Sequence, residues 1–250
     1  MLYPYLIEIR LRGNVKFVAK KLIYDIHNKF GVRGAVRNRP VPHVTLFGPF
    51  NTKSVKEIIQ IMKRVGDSYS SFNYEVSGFG YFEHKKWSLI IPRKKKHAVY
   101  LKIEPDSDSL NFRHALAKEL IHKTKSKNID QDSELNFKFH ATLAMKDIHQ
   151  KFDDIWNYLK TYPIQTKSVC YRITLLKGSK MVCEYDFVQK RILDRHEALS
   201  RNGWKLTEKL LGKKESGSID ETQFYVCPHC DGDTEMRYGK QYCDRCKMYL

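Results

Sequence analysis

One short motif occurs twice in this chain and constrains its fold more than any other feature. His43-Val44-Thr45-Leu46 returns as His140-Ala141-Thr142-Leu143, 97 residues later. The elements around the two copies follow one order. Residues 5–11 alternate as a strand, and Val15, Val18, Leu22, Ile26 and Phe30 have the three- and four-residue spacing of a helix that Gly31 caps. A loop over 33–42 leads into a strand over 44–47 that stops at Gly48-Pro49. Val55, Ile58, Ile59, Met62 and Val65 then mark a second helix, and strands over 73–82 and 87–91 follow.

The second half reads the same way. A strand over 100–103 precedes a helix over 109–123, with Leu110, Leu116, Leu120 and Ile121 inward. A polar loop over 125–136 leads to a strand over 137–145 and a helix over 148–160 carrying Phe152, Ile155, Trp156 and Leu159. Strands over 165–176 and 181–188 flank Gly178-Ser179, a two-residue hairpin signal. Tyr5 precedes His43 by 38 residues and Tyr100 precedes His140 by 40. A shared element order around a shared tetrapeptide predicts an internal duplication. The expectation is an α+β fold of two related lobes, about residues 1–95 and 96–190, with the motif strands side by side.

Side chains alternate across a strand. His43 and Thr45 therefore share one face, as do His140 and Thr142, while Val44, Leu46, Ala141 and Leu143 anchor the other. Two such strands on one cleft present two imidazoles and two hydroxyls to a single ligand. That set suits displacement at phosphorus. One imidazole takes a proton from the attacking oxygen and the other gives one to the leaving oxygen, because histidine titrates near neutrality. The hydroxyls hold non-bridging phosphate oxygens. A lone histidine on a strand is usually structural; two in matching places are not. His84, His97, His114, His122 and His149 lack such a partner and read as surface or helix residues.

On these residues the chain resembles the 2H phosphoesterase superfamily, and within it the 2'-5' RNA ligase and 2',3'-cyclic phosphodiesterase family. The resemblance covers about residues 1–190. It implies a duplicated two-lobe fold with two antiparallel-type sheets facing a central cleft and helices outside. It also implies metal-independent action on RNA or nucleotides with 2',3'-cyclic phosphate ends or 2'-5' linkages. Carried onto this chain, His43 and His140 are the acid–base pair, His140 as base and His43 as acid, and Thr45 and Thr142 bind phosphate. No catalytic metal is expected. Two alternatives stand beside the enzyme: an RNA-end-binding protein without turnover, and a protein-interaction factor acting through the C-terminal module.

Charge supports a polyanionic partner. The formal net charge is +17 and the sequence pI about 9.5. Residues 1–190 hold 34 Lys and Arg against 18 Asp and Glu, whereas residues 191–250 hold 11 against 10. The basic field thus belongs to the half of the chain with the paired motifs. Arg33, Arg37 and Arg39, on the loop entering His43, are candidate grips for flanking phosphates or simply a solvated loop. The run Arg93-Lys94-Lys95-Lys96-His97, with Lys85 and Lys86 nearby, lies between expected strands and reads as a solvated turn or as a wall for a polynucleotide backbone. Phe47, Tyr81, Phe82 and Trp87 are candidate stacking residues, with Phe47 the candidate RNA contact beside the first motif; core packing is the simpler role for most of them.

Past residue 190 the texture changes. Residues 191–223 read as a helical segment and linker, and 224–250 as a separate module. Cys227-Pro228-His229-Cys230 and Cys243-Asp244-Arg245-Cys246 are two Cys-x-x-Cys pairs with twelve residues between them. Four thiolates from two such turns make a closed tetrahedral Zn²⁺ site, and a segment this short needs metal to fold. The pattern resembles a structural zinc ribbon, and disulfides are the alternative. Cys170 and Cys183 flank the last hairpin out of register and read as small apolar residues. The first residues read as a strand and not a signal sequence, so a cytoplasmic monomer without membrane association is expected.

Overall fold

The computed structural model describes residues 4–33, 36, 41–86, 93–126, 137–212, 225–226, 233–237, 240–243 and 248–249. Side chains are described throughout these except at 84–86 and 93–95, and beyond residue 212 only for Tyr242 and Cys243.

The chain begins with strand β1 (Tyr5–Arg10) and helix α1 (Gly13–Phe30), which ends at Gly31 with φ 70° and a bond from the Gly31 N–H to the His27 carbonyl at 2.9 Å. This is the expected left-handed cap. Then come β2 (His43–Asn51), α2 (Val55–Asp67), β3 (Phe72–Lys86), β4 (Arg93–Pro105) and α3 (Ser107–Ile121). Ser54 and Asp106 cap α2 and α3, each accepting from the N–H three residues on, at 3.2 and 2.8 Å. The second half continues with β5 (Lys125–Ser126), β6 (His140–Met145), α4 (Phe152–Lys160), β7 (Gln165–Cys170), β8 (Arg172–Lys177) and β9 (Lys180–Asp186). Beyond these lie β10 (Arg191–Asp194), α5 (Arg195–Leu199) and α6 (Arg201–Leu210).

Two antiparallel sheets carry these strands, in the orders β10-β9-β8-β1-β2-β5 and β6-β4-β3-β7. The halves exchange strands. The long β3 of the first half pairs with β4 of the second, and β8 of the second pairs with β1 of the first. Each central strand, β1 or β4, thus holds a motif strand on one side and an exchanged strand on the other. The orders β8-β1-β2 and β3-β4-β6 therefore correspond, and neither sheet belongs to one half alone.

Three departures from the sequence reading change the sheets. The strand of the first motif does not stop at Gly48-Pro49. It bulges between Phe47 and Phe50 and resumes pairing with Tyr5 and Ser126. Gly48 makes this possible: at φ 107° a Cβ there would meet the Tyr5 carbonyl oxygen at 3.1 Å. Residues 165–176 are two strands in different sheets, broken at Tyr171. The first sheet also does not end at residue 190, because Arg191–Asp194 pairs with β9 as its edge. The strand expected over 87–91 lies outside the described residues.

The apolar faces of both sheets share one core. It contains Ile7, Ile9, Val44, Leu46, Ile173 and Tyr185 from one sheet and Val76, Leu101, Ala141 and Leu143 from the other. Leu22, Ile26, Ile58, Met62, Phe112, Leu116 and Ile155 enter it from the helices, all at or near zero exposure. Each such aliphatic side chain contributes about 1.5–3 kcal/mol. Packing every apolar face into this core leaves the opposite faces of the motif strands for polar work. Among the described residues no helix is long and apolar enough to cross a membrane.

Candidate active site

Register fixes what surrounds each motif. In β1, Arg10 pairs with His43 and Glu8 with Thr45, so these four share the face opposite Ile7 and Ile9. In β4, Lys102 pairs with His140 and Tyr100 with Thr142, on the face opposite Leu101 and Ile103. β2 and β6 are adjacent across the two sheets. The charge of His43 acts on His140, so both polar faces open on one cleft. His43, His140, Thr45 and Thr142 are all half-buried on it, as strand alternation requires.

The two imidazoles are oriented alike. His43 Nδ1 lies 2.8 Å from the Val41 carbonyl oxygen, and His140 Nδ1 lies 2.8 Å from the Lys138 carbonyl oxygen. A carbonyl only accepts, so each Nδ1 carries a proton and donates it. Each Nε2 is therefore the atom left to gain or lose a proton in the cleft.

Their surroundings differ. His43 Nε2 stands 3.7 Å from Oε2 of Glu8, whose side chain is 2% exposed and whose Oε1 accepts from Arg10 Nε at 3.1 Å. His140 has aromatic neighbours instead. Phe82 meets it edge-on at 4.8 Å between centroids, Tyr100 lies at 5.2 Å, and the two rings touch each other at 4.4 Å. Burial holds His140 below the ordinary imidazole range. The Lys138 carbonyl opposes this shift, and the charge of His43 adds to it.

A buried polar row extends from this site across the first sheet. Thr174 pairs with Glu8 and donates to Glu184 at 2.8 Å. Arg12 and Arg172 both stand 3.5 Å from Glu184, and Arg172 Nε donates to Asp186 at 2.7 Å. Arg172 also donates to the Ala198 and Gly203 carbonyls and to Thr207, while both guanidiniums stack on Trp204 at 3.6 and 3.9 Å. Helices α5 and α6 are thereby fixed to the face that bears His43. Along α1, Lys16 and Lys20 are both pushed down to about 8, chiefly by burial and further by neighbouring cations.

Several expected contacts fall elsewhere. Phe47 is fully buried in the core, edge-on to Phe50 at 5.4 Å, so it cannot stack on a base; the bulge after Thr45 turns it inward. Among the described aromatic candidates only Phe82 reaches a motif histidine. Tyr81, one residue earlier and on the other face, packs against Phe152 and Trp156. The basic run is not a turn. Arg93 to Lys96 open β4, and Lys96 lies over Phe152 at 4.0 Å and 3.6 Å from Asp153, away from the motifs. Arg33 is exposed and its N–H donates to Asp147 at 2.9 Å, tying the entry loop of His43 to the exit of β6. Arg37, Arg39 and Trp87 lie outside the described residues.

Sequence reasoning missed Glu8, Arg10, Tyr100, Lys102 and Arg113. The first four were findable, since each falls in strand alternation on the motif-bearing face. Arg113 gave no such signal. It is buried in α3, donates from Nε to the Leu46 carbonyl at 3.3 Å and stacks on Phe137 at 4.1 Å. It thus joins the end of one motif to the approach of the other.

The C-terminal residues form a third antiparallel sheet of β11 (Tyr225–Val226), β12 (Asp233–Arg237), β13 (Lys240–Cys243) and β14 (Met248–Tyr249). Cys243 closes β13 and is buried, paired with Thr234 and Met248. Cys227, Cys230 and Cys246 lie outside the described residues. Cys170 and Cys183 are buried and in no disulfide; Cys183 faces Leu175, and Cys170 lies in the other sheet.

The family model described as the 2'-5' RNA ligase superfamily matches residues 27–180. Similar solved structures include TT0787 of Thermus thermophilus, with 14% identity, a TM-score of 0.49 and coverage of 76% of this chain and 97% of that one. Usb1 of Kluyveromyces marxianus gives 14% identity, a TM-score of 0.42 and the same coverage. LigT of E. coli complexed with 3'-AMP gives 14% identity, a TM-score of 0.40 and coverage of 77% and 93%. No curated protein matches the sequence. The matched span is more than half of the chain and contains both His-x-Thr-Leu strands, and on that ground the chain belongs to the 2'-5' RNA ligase superfamily.

Proposed function

We propose that this protein is a metal-independent phosphodiesterase that opens 2',3'-cyclic phosphates on RNA ends or nucleotides to 2'-phosphates, with 2'-5' ligation as the same chemistry when a 5' hydroxyl attacks in place of water. One observation carries this reading: both motif histidines donate from Nδ1 to the carbonyl two residues back and leave Nε2 to the cleft.

In the forward direction Nε2 of His140 takes a proton from water as the water oxygen bonds to phosphorus. The bond from phosphorus to the 3' oxygen breaks, and that oxygen takes the proton from Nε2 of His43. The 2' ester remains. Thr45 and Thr142 donate to the non-bridging oxygens. Burial favours the neutral form of His140, which suits it to the base role. Glu8 offers a counter-charge to protonated His43. Acid, base and phosphate donors all come from the chain, so no step calls for a metal ion.

The test is an assay with EDTA on 2',3'-cyclic nucleotides and on RNA with a cyclic phosphate end. The expected product carries a 2'-phosphate. His43→Ala and His140→Ala should each lower turnover by ~10²-fold or more. Unchanged turnover in either variant removes the reading. Tight binding of RNA ends with no product at all favours the non-catalytic alternative.

For the C-terminal module we propose a structural Zn²⁺ held by Cys227, Cys230, Cys243 and Cys246. A buried Cys243 at the end of a strand in a four-stranded sheet fits a thiolate ligand. The metal would cross-link the module and take no part in catalysis. About one equivalent of zinc per chain is expected; zinc-free protein with oxidised cysteines would refute it.

A further inference from the structure

We propose that Glu8 is a positioning residue that sets His43 as the proton donor of the pair, and so decides the direction of proton flow across the cleft. The inference rests on the acid–base reading above and adds to it the residue that breaks its symmetry.

The correspondence between the two sheets makes the asymmetry legible. Opposite each histidine stands a cation, Arg10 in β1 and Lys102 in β4. Opposite each threonine stands Glu8 in one sheet and Tyr100 in the other. Histidine, threonine and cation are thus matched between the halves, and at this fourth position they part. A duplicated pair of identical imidazoles has no intrinsic order of acid and base. The order must come from a position where the copies differ, and this one directly adjoins both threonines.

Glu8 is built to act on His43. Its carboxylate is almost fully buried, and such a charge needs partners. Oε1 has Arg10 at 3.1 Å, and Oε2 faces His43 Nε2 at 3.7 Å. The other charged groups on this side are already engaged with one another. Glu184 on β9 is met by Arg12 and Arg172 and by the Thr174 hydroxyl, and Asp186 is met by Arg172 and Thr207. Across the cleft, His140 and Lys102 add only positive charge, which cannot hold a proton on His43. Glu8 is therefore the carboxylate that faces His43. His140 has Phe82 and Tyr100 in the corresponding space, which favours the neutral ring.

The test compares pH profiles of wild type, Glu8→Gln and Glu8→Asp on a 2',3'-cyclic nucleotide. A donor must be protonated, so its loss appears as the alkaline limb. Glu8→Gln keeps the shape and an oxygen for Arg10 but removes the charge. The alkaline limb should move to lower pH, lowering kcat at that end by roughly three- to tenfold, with KM and the acidic limb little changed. Glu8→Asp should restore part of the shift. A folded Glu8→Gln protein with the wild-type profile, or one in which only the acidic limb moves, overturns the proposal.

Imidazole NMR of wild type and Glu8→Gln compared over pH gives a second readout that does not need turnover. Removing the Glu8 charge should change the pH response of His43 and leave that of His140 in place, and responses that superimpose at His43 overturn the proposal. Wild type that turns over no cyclic phosphate sinks the functional reading, and this comparison then judges Glu8 by itself.

Discussion

The ring of Tyr100 occupies the space in which a β-carbon on Gly80 would stand. Gly80 pairs with Tyr100 across β3 and β4, and an added Cβ would lie 2.5 Å from two ring carbons and 2.7 Å from the hydroxyl. The conflict is with the far end of a side chain, so the ring would swing before the backbone moved. Tyr100 is also in contact with Phe82 and His140. Gly80→Ala should therefore act on the site more than on the fold. The expected result is a fall in kcat of roughly tenfold, while urea unfolding shows a loss of only about 1–2 kcal/mol. Full activity in this variant would mean that Tyr100 has no bearing on His140.

The shift of His140 predicts one limb of the pH profile. Burial lowers its proton affinity, and the base must be neutral to act. A lowered value means that the neutral ring persists to lower pH than an ordinary imidazole, whose value is about 6.5. Activity should be kept as pH falls below that value and be lost only on passing through the lowered one. Phe82→Ala opens the ring to water, so it should move the acidic limb of kcat/KM upward. An acidic limb at or above the ordinary imidazole value in wild type contradicts the assignment of His140 as base.

Arg113 makes a separate prediction, because it joins the motifs from beneath. Its Nε satisfies the Leu46 carbonyl, and its guanidinium stacks on Phe137, just before the second motif. Arg113→Met fills similar space but leaves that carbonyl without the bond. Denaturant unfolding should show a loss of about 1–3 kcal/mol, and turnover should fall although Arg113 is buried. A variant as stable and active as wild type would show that the link does not hold the motifs.

Much of this arrangement was legible in the sequence, for reasons that can be named. The helix spacing of Val15, Leu22 and Ile26 and the alternation around His43 and His140 are local signals, and both were realised. The exchange of β3 and β8 between sheets was not legible, because pairing partners are distant in sequence and alternation reads alike in either sheet. The break at Tyr171 was hidden for the same reason, since two short strands in tandem read as one long one. Phe47 misled because alternation fails at a bulge. In sequence Glu8 is one charge in a strand, and only its pairing with Thr45 and its burial give it a role.

The C-terminal boundary can be tested by truncation at two places. Residues 191–212 are part of the fold. Arg191–Asp194 is the edge strand, and Leu193 and Ala198 cover Leu176 and Met181 in a small second core. Arg172 is almost wholly buried and depends on acceptors at Ala198, Gly203 and Thr207. Removing residues 191–250 strips those acceptors from a buried cation and uncovers Leu176 and Met181. The product should be insoluble or unfolded, because leaving one side of a buried ionic network uncompensated costs about 3–5 kcal/mol, much of a domain's whole stability. Arg172→Met gives a milder form of the same defect, loosening α6 and lowering the unfolding midpoint. Removing residues 213–250 leaves Arg172, Trp204 and Thr207 in place. That protein should stay folded and turn over cyclic nucleotides at close to the wild-type rate, while binding long RNA more weakly if the cysteine-bearing module grips it. Loss of small-substrate turnover in this shorter deletion would make that module part of the catalytic unit.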